Sequence, residues 1–193
     1  MVFKAADDSG GTGDGARSCC HGWPVRGMGG HEVDDAYAPG EAVPLRGYAV
    51  LASAYGAATA LATLALRRSG RPLPAGVPPW DLLVIGTATY KVSRLVTKGK
   101  ITSFLRAPFT RRQEAGGGSE VMDEPRREGA VGQAVGELLS CPFCASTWAA
   151  TGLMCGYAAA PRAARLAAAG LSAVVISDWL QYAWSYTQQQ VEG

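Results

Sequence analysis

An uninterrupted apolar run in the first third of the chain most constrains the fold. Residues 47–66, GYAVLASAYGAATALATLAL, contain no charged side chain. A helix of about twenty such residues is long enough to cross the hydrocarbon core of a bilayer. Arg46 precedes the run, and Arg67 and Arg68 follow it, as is typical of residues that meet lipid headgroups. The run therefore predicts a membrane helix rather than a buried helix of a soluble domain.

Three further apolar runs follow, and together they predict a helical membrane bundle. They occupy residues 80–96, 142–160 and 166–186. The first of these carries Lys91 and Arg94 near its end, so it spans a bilayer only if both side chains reach the headgroups. Pro161 and a short RAAR turn separate the last two runs, which predicts antiparallel neighbours. We therefore predict an all-α integral membrane bundle of three or four transmembrane helices over residues 45–187.

The two ends of the chain are predicted to lie outside this bundle. Residues 1–44 are rich in Gly and lack apolar periodicity, so they cannot bury enough surface to offset the entropy of ordering. We expect a disordered N-terminal tail and, because no basic stretch precedes an apolar core there, no secretory signal peptide. Residues 188–193 are expected to form a short C-terminal tail.

The distribution of basic residues predicts the orientation in the membrane. The loop over residues 97–140 contains seven Lys and Arg residues, whereas the loops after the first and third runs contain three and two. Basic loops are retained in the cytoplasm, so we predict a multi-pass protein of the cell membrane with both termini cytoplasmic. A formal net charge of +2 gives no support for nucleic-acid binding.

The basic loop has two predicted parts. In residues 98–112, Ile101, Phe104 and Leu105 have helical spacing among basic residues. This segment either lies in the interface against anionic lipid or packs on neighbouring helices. The polar, Gly-rich residues 113–133 predict a flexible loop.

Small residues recur at every fourth position in three of the apolar runs. The three stripes are Ala52, Gly56 and Ala60; Gly152, Gly156 and Ala160; and Ala169, Ala173 and Ser177. Small residues let helix backbones approach closely in a membrane. The stripes predict that these helices pack on one another, and they are also candidate surfaces for a homo-oligomer.

A Cys-x-x-Cys motif, Cys141 and Cys144, lies where the basic loop meets the third run. Pro142 suits the first position of a helix, so Cys141 is expected near the N-cap, where the macrodipole stabilises a thiolate. This arrangement suits thiol–disulfide chemistry. However, no βαβ pattern surrounds it, and the predicted cytoplasmic side disfavours lasting disulfides.

The same cysteines are half of a zinc site, because structural zinc is normally held by four ligands. Cys19, Cys20, His21 and His31 are candidates for the other half, as are the cysteines of a second copy. The remaining alternative is a packing or capping role, because Cys behaves as a small apolar residue. No other cofactor is expected.

Asp178 is an acidic residue inside the fourth run. Such residues usually face a partner or a water-filled cavity. Lys91 and Arg94 are its expected partners, because all three would lie near the same end of the bundle. A structural ion pair is favoured over a transport or proton-relay role.

Two separated motifs resemble a bacterial family of small membrane proteins known as domain of unknown function 1360. They are YKVSRLVTKGKITSFLRAPFT and, after a polar loop, GELLSCPFCASTW. The resemblance covers roughly residues 80–184. The positions it singles out are Arg94, Leu95, Lys100, Ile101, Arg106, Pro108, Phe109, Cys141, Pro142, Cys144 and Trp148. The chain departs from the family pattern at Ser146, where Gly is expected. The family has no established activity, so the resemblance implies a membrane protein and no particular reaction.

These observations favour a non-enzymatic membrane component that associates with lipid, with itself or with a partner. Its Cys-x-x-Cys would be structural or would close a metal site. The first alternative is a membrane thiol–disulfide protein that uses Cys141 and Cys144. The second alternative is a small transporter or pore component that depends on Asp178.

Overall fold

The computed structural model describes residues 37–39, 43–70, 74–115 and 120–192. The helices and strands from residue 43 onward are α1 (Leu45–Arg68), α2 (Pro79–Lys98), α3 (Ser103–Arg106), β1 (Thr110–Ala115), β2 (Val121–Pro125), α4 (Ala130–Ser140), α5 (Pro142–Ala159) and α6 (Pro161–Glu192). The predicted disorder of residues 1–44 concerns a segment that lies almost entirely outside the described residues.

The four apolar runs form the long helices α1, α2, α5 and α6. Proline occupies the first position of α2, α5 and α6, where its fixed φ favours a helix and its missing N–H leaves no bond unmade. The predicted RAAR turn is wrong, because α6 begins at Pro161; the same helix continues to Glu192, so residues 188–192 of the predicted C-terminal tail are helical. After the helix-favouring RAAR, no proline occurs that would stop it.

Helix α2 lies at the centre of the bundle, between α5 and α6. The core between these helices consists of Ile85, Ala88, Tyr157 and Ala168, with Leu153, Met154 and Leu171 packed against it. Helix α1 lies outside this group and packs on α4 and α5. The fold is therefore a three-helix core with a fourth long helix at its side.

The basic loop over residues 97–140 is folded, so the predictions of a flexible loop and an all-α chain are wrong in this segment. Strands β1 and β2 form an antiparallel hairpin that pairs Thr110 with Pro125 and Arg112 with Asp123. Helix α4 packs on β2. A Cβ on Gly136 would lie 2.6 Å from the Phe109 carbonyl oxygen, so only glycine allows the hairpin and α4 to approach this closely.

Two helices are long and apolar enough to cross a membrane within the described residues: α1 and the Pro161–Val191 part of α6. Helices α4 and α5 pass the same test only together, and they are bent by 82° where they meet. Counting this bent pair as one span gives three. Helix α2, which carries Asp81, Lys91, Arg94 and Lys98, is not among the candidates.

Helix α5 contacts both α1 and α6, as predicted, but not through the small-residue stripes, which point away from the core. A Cβ on Gly56, Gly152 or Gly156 would meet no atom within 4 Å. The other members of the three stripes are also exposed. The reason is that larger side chains, among them Tyr157 and Leu153, fill the space around α2.

Candidate functional site

The side chain of Arg106, at the end of α3, is completely buried. It lies at the end of the bundle where α2 meets the hairpin, which we call the polar end. Its Nε donates to the Asp123 carboxylate at 2.7 Å, and its terminal nitrogens donate to the carbonyl oxygens of Val96 at 2.7 Å and Gly99 at 3.1 Å. Hydroxyl oxygens of Thr102 and Ser103 accept further bonds. These carbonyls end α2, where a cation is favoured by the helix dipole. The guanidinium therefore joins α2, α3 and β2.

Two other residues of the first motif lie in the turns around this arginine. Lys100 is exposed just after α2, and Pro108 is exposed between α3 and β1. The neighbouring Phe109 carbonyl accepts a hydrogen bond from the Arg126 backbone N–H at 2.8 Å, which fixes the entrance to the hairpin. The structure thus brings the first motif together as one folded turn around Arg106.

Arg94 forms a two-pronged ion pair with Glu120, which lies just before β2. Its Nη2 is 2.6 Å from each carboxylate oxygen, and its Nε is 2.9 Å from one of them. The guanidinium also lies 5.7 Å from the centre of the Tyr90 ring. Glu120 was not identified from the sequence, because it lies in a stretch that reads as loop.

Asp178 pairs with Lys91, one of its two predicted partners, at 2.5 Å. Both side chains are partly exposed, at 21% for Lys91 and 38% for Asp178. This pair links α2 to α6 one turn before Arg94. The favoured reading of Asp178 as half of an ion pair therefore agrees with the structure.

A mixed polar and apolar cavity of about 460 Å³ lies beside these two ion pairs, between α2 and the C-terminal half of α6. Lys91, Arg94, Glu120 and Asp178 contribute the charged groups. The remaining lining residues are Tyr90, Leu95, Gly99, Val175, Trp179, Gln181, Tyr182 and Ser185. The cavity places two cations and two carboxylates next to aromatic rings.

A second charged cluster, at the opposite end of α2, was missed by sequence reasoning. Asp81 accepts hydrogen bonds from the Tyr157 hydroxyl at 2.6 Å and from Arg165 Nε at 2.7 Å. The three residues belong to α2, α5 and α6, so the cluster joins all the core helices. Asp81 is the second residue of the second apolar run, and no spacing in the sequence indicates that these three residues meet.

Cys141 caps the N-terminus of α5, as predicted from Pro142. Its Sγ accepts a hydrogen bond from the Cys144 backbone N–H at 3.3 Å. Partial burial opposes ionisation of the Cys141 thiol, but hydrogen bonds from Cys144 and Phe143 and the charge of Lys98 together hold its pKa below the ordinary value. Both cysteines are free, and Cys144 is exposed. This is a chemically accessible thiol pair with an activated first member.

Trp148, the last residue of the second motif, lies on α5 and packs edge-on against Tyr55 of α1, with ring centres 5.1 Å apart. The Tyr55 hydroxyl also lies 2.6 Å from Thr151 Oγ1. Trp148 therefore has a structural role, since it attaches the outer helix to the core.

The predicted zinc site has only two of its ligands in the described part of the chain. Among those residues, no group of three or more His, Cys, Asp or Glu side chains is placed to hold a metal ion. Cys19, Cys20, His21 and His31 lie outside the described residues. The zinc hypothesis stays a prediction.

Comparison with known proteins identifies the family. Residues 84–184, slightly more than half of the chain, match the family described as protein of unknown function (DUF1360). The chain belongs to this family. It is also 32% identical over 111 residues to sporulation protein YjcA of Bacillus subtilis strain 168, an alignment that covers 52% of this chain and 93% of the relative. No solved structure matches.

The DUF1360 match contains most of the features described above. It includes Arg94, Arg106, the hairpin, the cysteine pair and Asp178. It leaves out helix α1 and the tail cysteines, Cys19 and Cys20. The family resemblance drawn from the two motifs is thereby confirmed.

Proposed function

We propose that this DUF1360 protein is a non-enzymatic integral membrane protein that crosses the bilayer with three or four helices. The observation that carries the proposal is the pairing of charges along α2. Lys91 is paired with Asp178, and Asp81 with Arg165. Paired charges inside a bundle lower the cost of membrane insertion, so α2 can enter a bilayer with the more apolar helices packed around it.

The contacts of the polar end support the proposed topology. The start of α1 packs on α4, where Gly47 approaches Ala130. The end of α2 is tied to the hairpin through Arg106. Both therefore meet the segment over residues 97–140, which contains more basic residues than either of the other two loops, as expected if this end faces the cytoplasm.

Site-specific labelling tests this topology. Single cysteines are placed at Ser69, after α1, and at Arg162, at the start of α6, in a chain that otherwise lacks cysteine; the native Cys144 is kept alone in a third variant. A membrane-impermeant maleimide should label the first two in intact cells and Cys144 only after permeabilisation. Labelling of Cys144 in intact cells would reverse the orientation. Equal labelling of all three would argue against membrane spanning.

The role we propose is a structural one in a membrane, exercised by association with lipid, with another copy or with a partner. The name of the Bacillus subtilis relative connects that relative to sporulation, and we propose the same role for this chain. The test is expression of this chain in a Bacillus subtilis strain that lacks the relative, with spore yield as the measurement. A membrane-inserted chain that leaves spore yield unchanged would contradict a shared role in sporulation.

The outward small-residue stripes support self-association as part of this role. Gly56 and Gly152 are exposed and have open space around them. Helices with small residues every four positions associate closely in lipid. Gly152→Leu should weaken a dimer measured by single-molecule photobleaching in vesicles. Gly76→Leu, in the exposed loop before α2, is the control.

A second candidate function is thiol–disulfide exchange, favoured by the activated Cys141. Its thiolate would attack a disulfide of a partner protein, which releases one partner thiolate and forms a mixed disulfide. The Cys144 thiol, once deprotonated, would then attack the Cys141 sulfur, form the Cys141–Cys144 disulfide and release the second partner thiolate. Cys144→Ser should trap the mixed disulfide on a non-reducing gel.

Zinc bound to purified protein, lost on mutation of either cysteine, would instead favour the metal-closing alternative.

A further inference from the structure

The cavity between α2 and α6 is electrically balanced. Lys91 and Arg94 of α2 supply two positive charges, and Asp178 and Glu120 supply two negative charges. Because each cation already has a carboxylate partner, the cavity does not favour a simple anion. A ligand that carries one negative and one positive group can replace both partners of a pair. Its negative group binds the cations, and its positive group binds the carboxylates.

The geometry of the charged groups fits a phosphate and a primary ammonium. The Arg94 guanidinium already makes a two-pronged bond to a carboxylate, and phosphate accepts the same fork geometry. The carboxylates of Glu120 and Asp178 then become available to an ammonium group, beside the rings of Tyr90 and Tyr182. The four charged side chains are 21–38% exposed, so a ligand can reach them.

The rest of the cavity is suited to hydrocarbon. Leu95, Val175 and Trp179 contribute apolar surface next to the charged groups. The cavity also lies at the end of α2, where the bundle meets the polar hairpin through Glu120. Under the proposed membrane topology, on which this inference rests, that is the depth of the lipid headgroups.

We propose that this cavity binds the headgroup of a phospholipid of the phosphatidylethanolamine class. The phosphate is held by Arg94 and Lys91, and the ammonium by Glu120 and Asp178. The acyl chains leave along Val175 and Trp179 into the bilayer. The same phosphoethanolamine chemistry occurs in a small soluble molecule, but only the lipid uses the apolar part of the cavity.

The test measures lipid binding to the full chain, purified in detergent and stripped of lipid. Phosphatidylethanolamine, phosphatidylglycerol and phosphatidylcholine of equal chain length are titrated, and bound lipid is counted by native mass spectrometry. We expect phosphatidylethanolamine to bind at least tenfold more tightly than either of the others. The glycerol headgroup lacks the ammonium, and the quaternary choline cannot donate hydrogen bonds to the carboxylates. Equal binding, or preference for another lipid, would overturn the proposal.

Two tryptophan substitutions on α6 localise the site. Ser185→Trp fills the cavity from an exposed position without disturbing either ion pair, and it should reduce phosphatidylethanolamine binding at least tenfold. Thr187→Trp, exposed on the same helix but outside the cavity, should bind like the original chain. Equal binding by the two variants would overturn the assignment to this cavity.

Two further measurements distinguish a lipid from a soluble ligand, and failure of this inference from failure of the proposed membrane function. Free phosphoethanolamine should compete at least a hundredfold more weakly than the lipid; equal competition would mean a soluble ligand and overturn the lipid proposal. Resistance to carbonate extraction is measured for the original chain and both variants. An integrated chain without headgroup preference refutes this inference alone. A chain that carbonate extracts refutes the proposed membrane function and this inference with it.

Discussion

The two ends of helix α2 hold their charged groups in different ways. At the C-terminal end, Arg106 and Asp123 have side-chain exposures of 0% and 6%, and backbone carbonyls satisfy the rest of the guanidinium. At the N-terminal end, Asp81 is enclosed, but the Arg165 side chain that pairs with it is 49% exposed. Water can therefore replace the carboxylate partner of Arg165 at the N-terminal end, but it cannot replace either partner of the Arg106–Asp123 pair at the C-terminal end. Loss of the Arg106–Asp123 pair should therefore lower the free energy of unfolding much more.

The largest effect is expected from Arg106→Gln. The substitution leaves the Asp123 carboxylate buried without its cation, a loss that typically costs about 3 to 5 kcal/mol of unfolding free energy. The measurement is reversible unfolding in detergent micelles by circular dichroism. Arg112→Gln, at an exposed position of β1, is the control and should change stability by less than about 0.5 kcal/mol. Equal effects of the two variants would contradict the role of Arg106.

A substitution at Gly136 tests how much the packing of α4 on the hairpin stabilises the same end of the bundle. An added Cβ would lie 2.6 Å from the Phe109 carbonyl oxygen and close to Pro125, so Gly136→Ala should lower the unfolding free energy by about 1 to 3 kcal/mol. Gly132→Ala is the matched control, because it lies one turn earlier in α4 with open space around it. It should be neutral or stabilising, since Ala favours a helix. A destabilising control would mean that α4 itself is sensitive.

The opposite end should respond less. Asp81→Asn removes the charge that faces Arg165 but keeps an oxygen that accepts from the Tyr157 hydroxyl. We expect a decrease in the unfolding midpoint that is clearly smaller than that of Arg106→Gln and that shrinks further at high salt, because Arg165 is accessible to water. A decrease as large as that of Arg106→Gln would erase the difference between the two ends.

The smallest effect concerns reactivity rather than stability. Because the pKa of Cys141 is lowered, its thiolate should persist at lower pH than that of an ordinary cysteine. In a chain that retains only Cys141, with Cys144→Ser, the rate of iodoacetamide alkylation should reach its half-maximal value at a lower pH in the folded protein than in urea. Lys98→Met should move the folded midpoint upward, because a positive charge near the thiolate is removed. A folded midpoint equal to that in urea would contradict the capping geometry as the cause.

Much of the helical architecture was predictable, and the polar segment between the helices was not. The charge-free run at residues 47–66 and the proline that begins the third run predict helices from local properties alone. The hairpin was missed because its strands are polar and flanked by glycine, so neither has an apolar alternation. Those strands are held by Arg106 and by the close approach at Gly136, which are contacts between distant parts of the chain.

The candidate site likewise has one part that was predictable from the sequence and other parts that were not. Asp178 was expected to pair with a cation of the second run, because an acidic group in an apolar helix needs a partner. The choice of Lys91 over Arg94 depends on Glu120, which occupies Arg94 from a position 26 residues away. The cluster of Asp81, Tyr157 and Arg165 had no local signal at all, since each residue comes from a different helix.

The sequence by itself determined that the four apolar runs become helices, where the basic residues concentrate and that Cys141 caps α5, because these depend on neighbouring residues. Tertiary structure alone decided which helix faces are used. It turned the small-residue stripes outward and placed the larger side chains around α2. Periodicity shows that a helix has a face, but the partner that covers the face is chosen by packing across the whole chain.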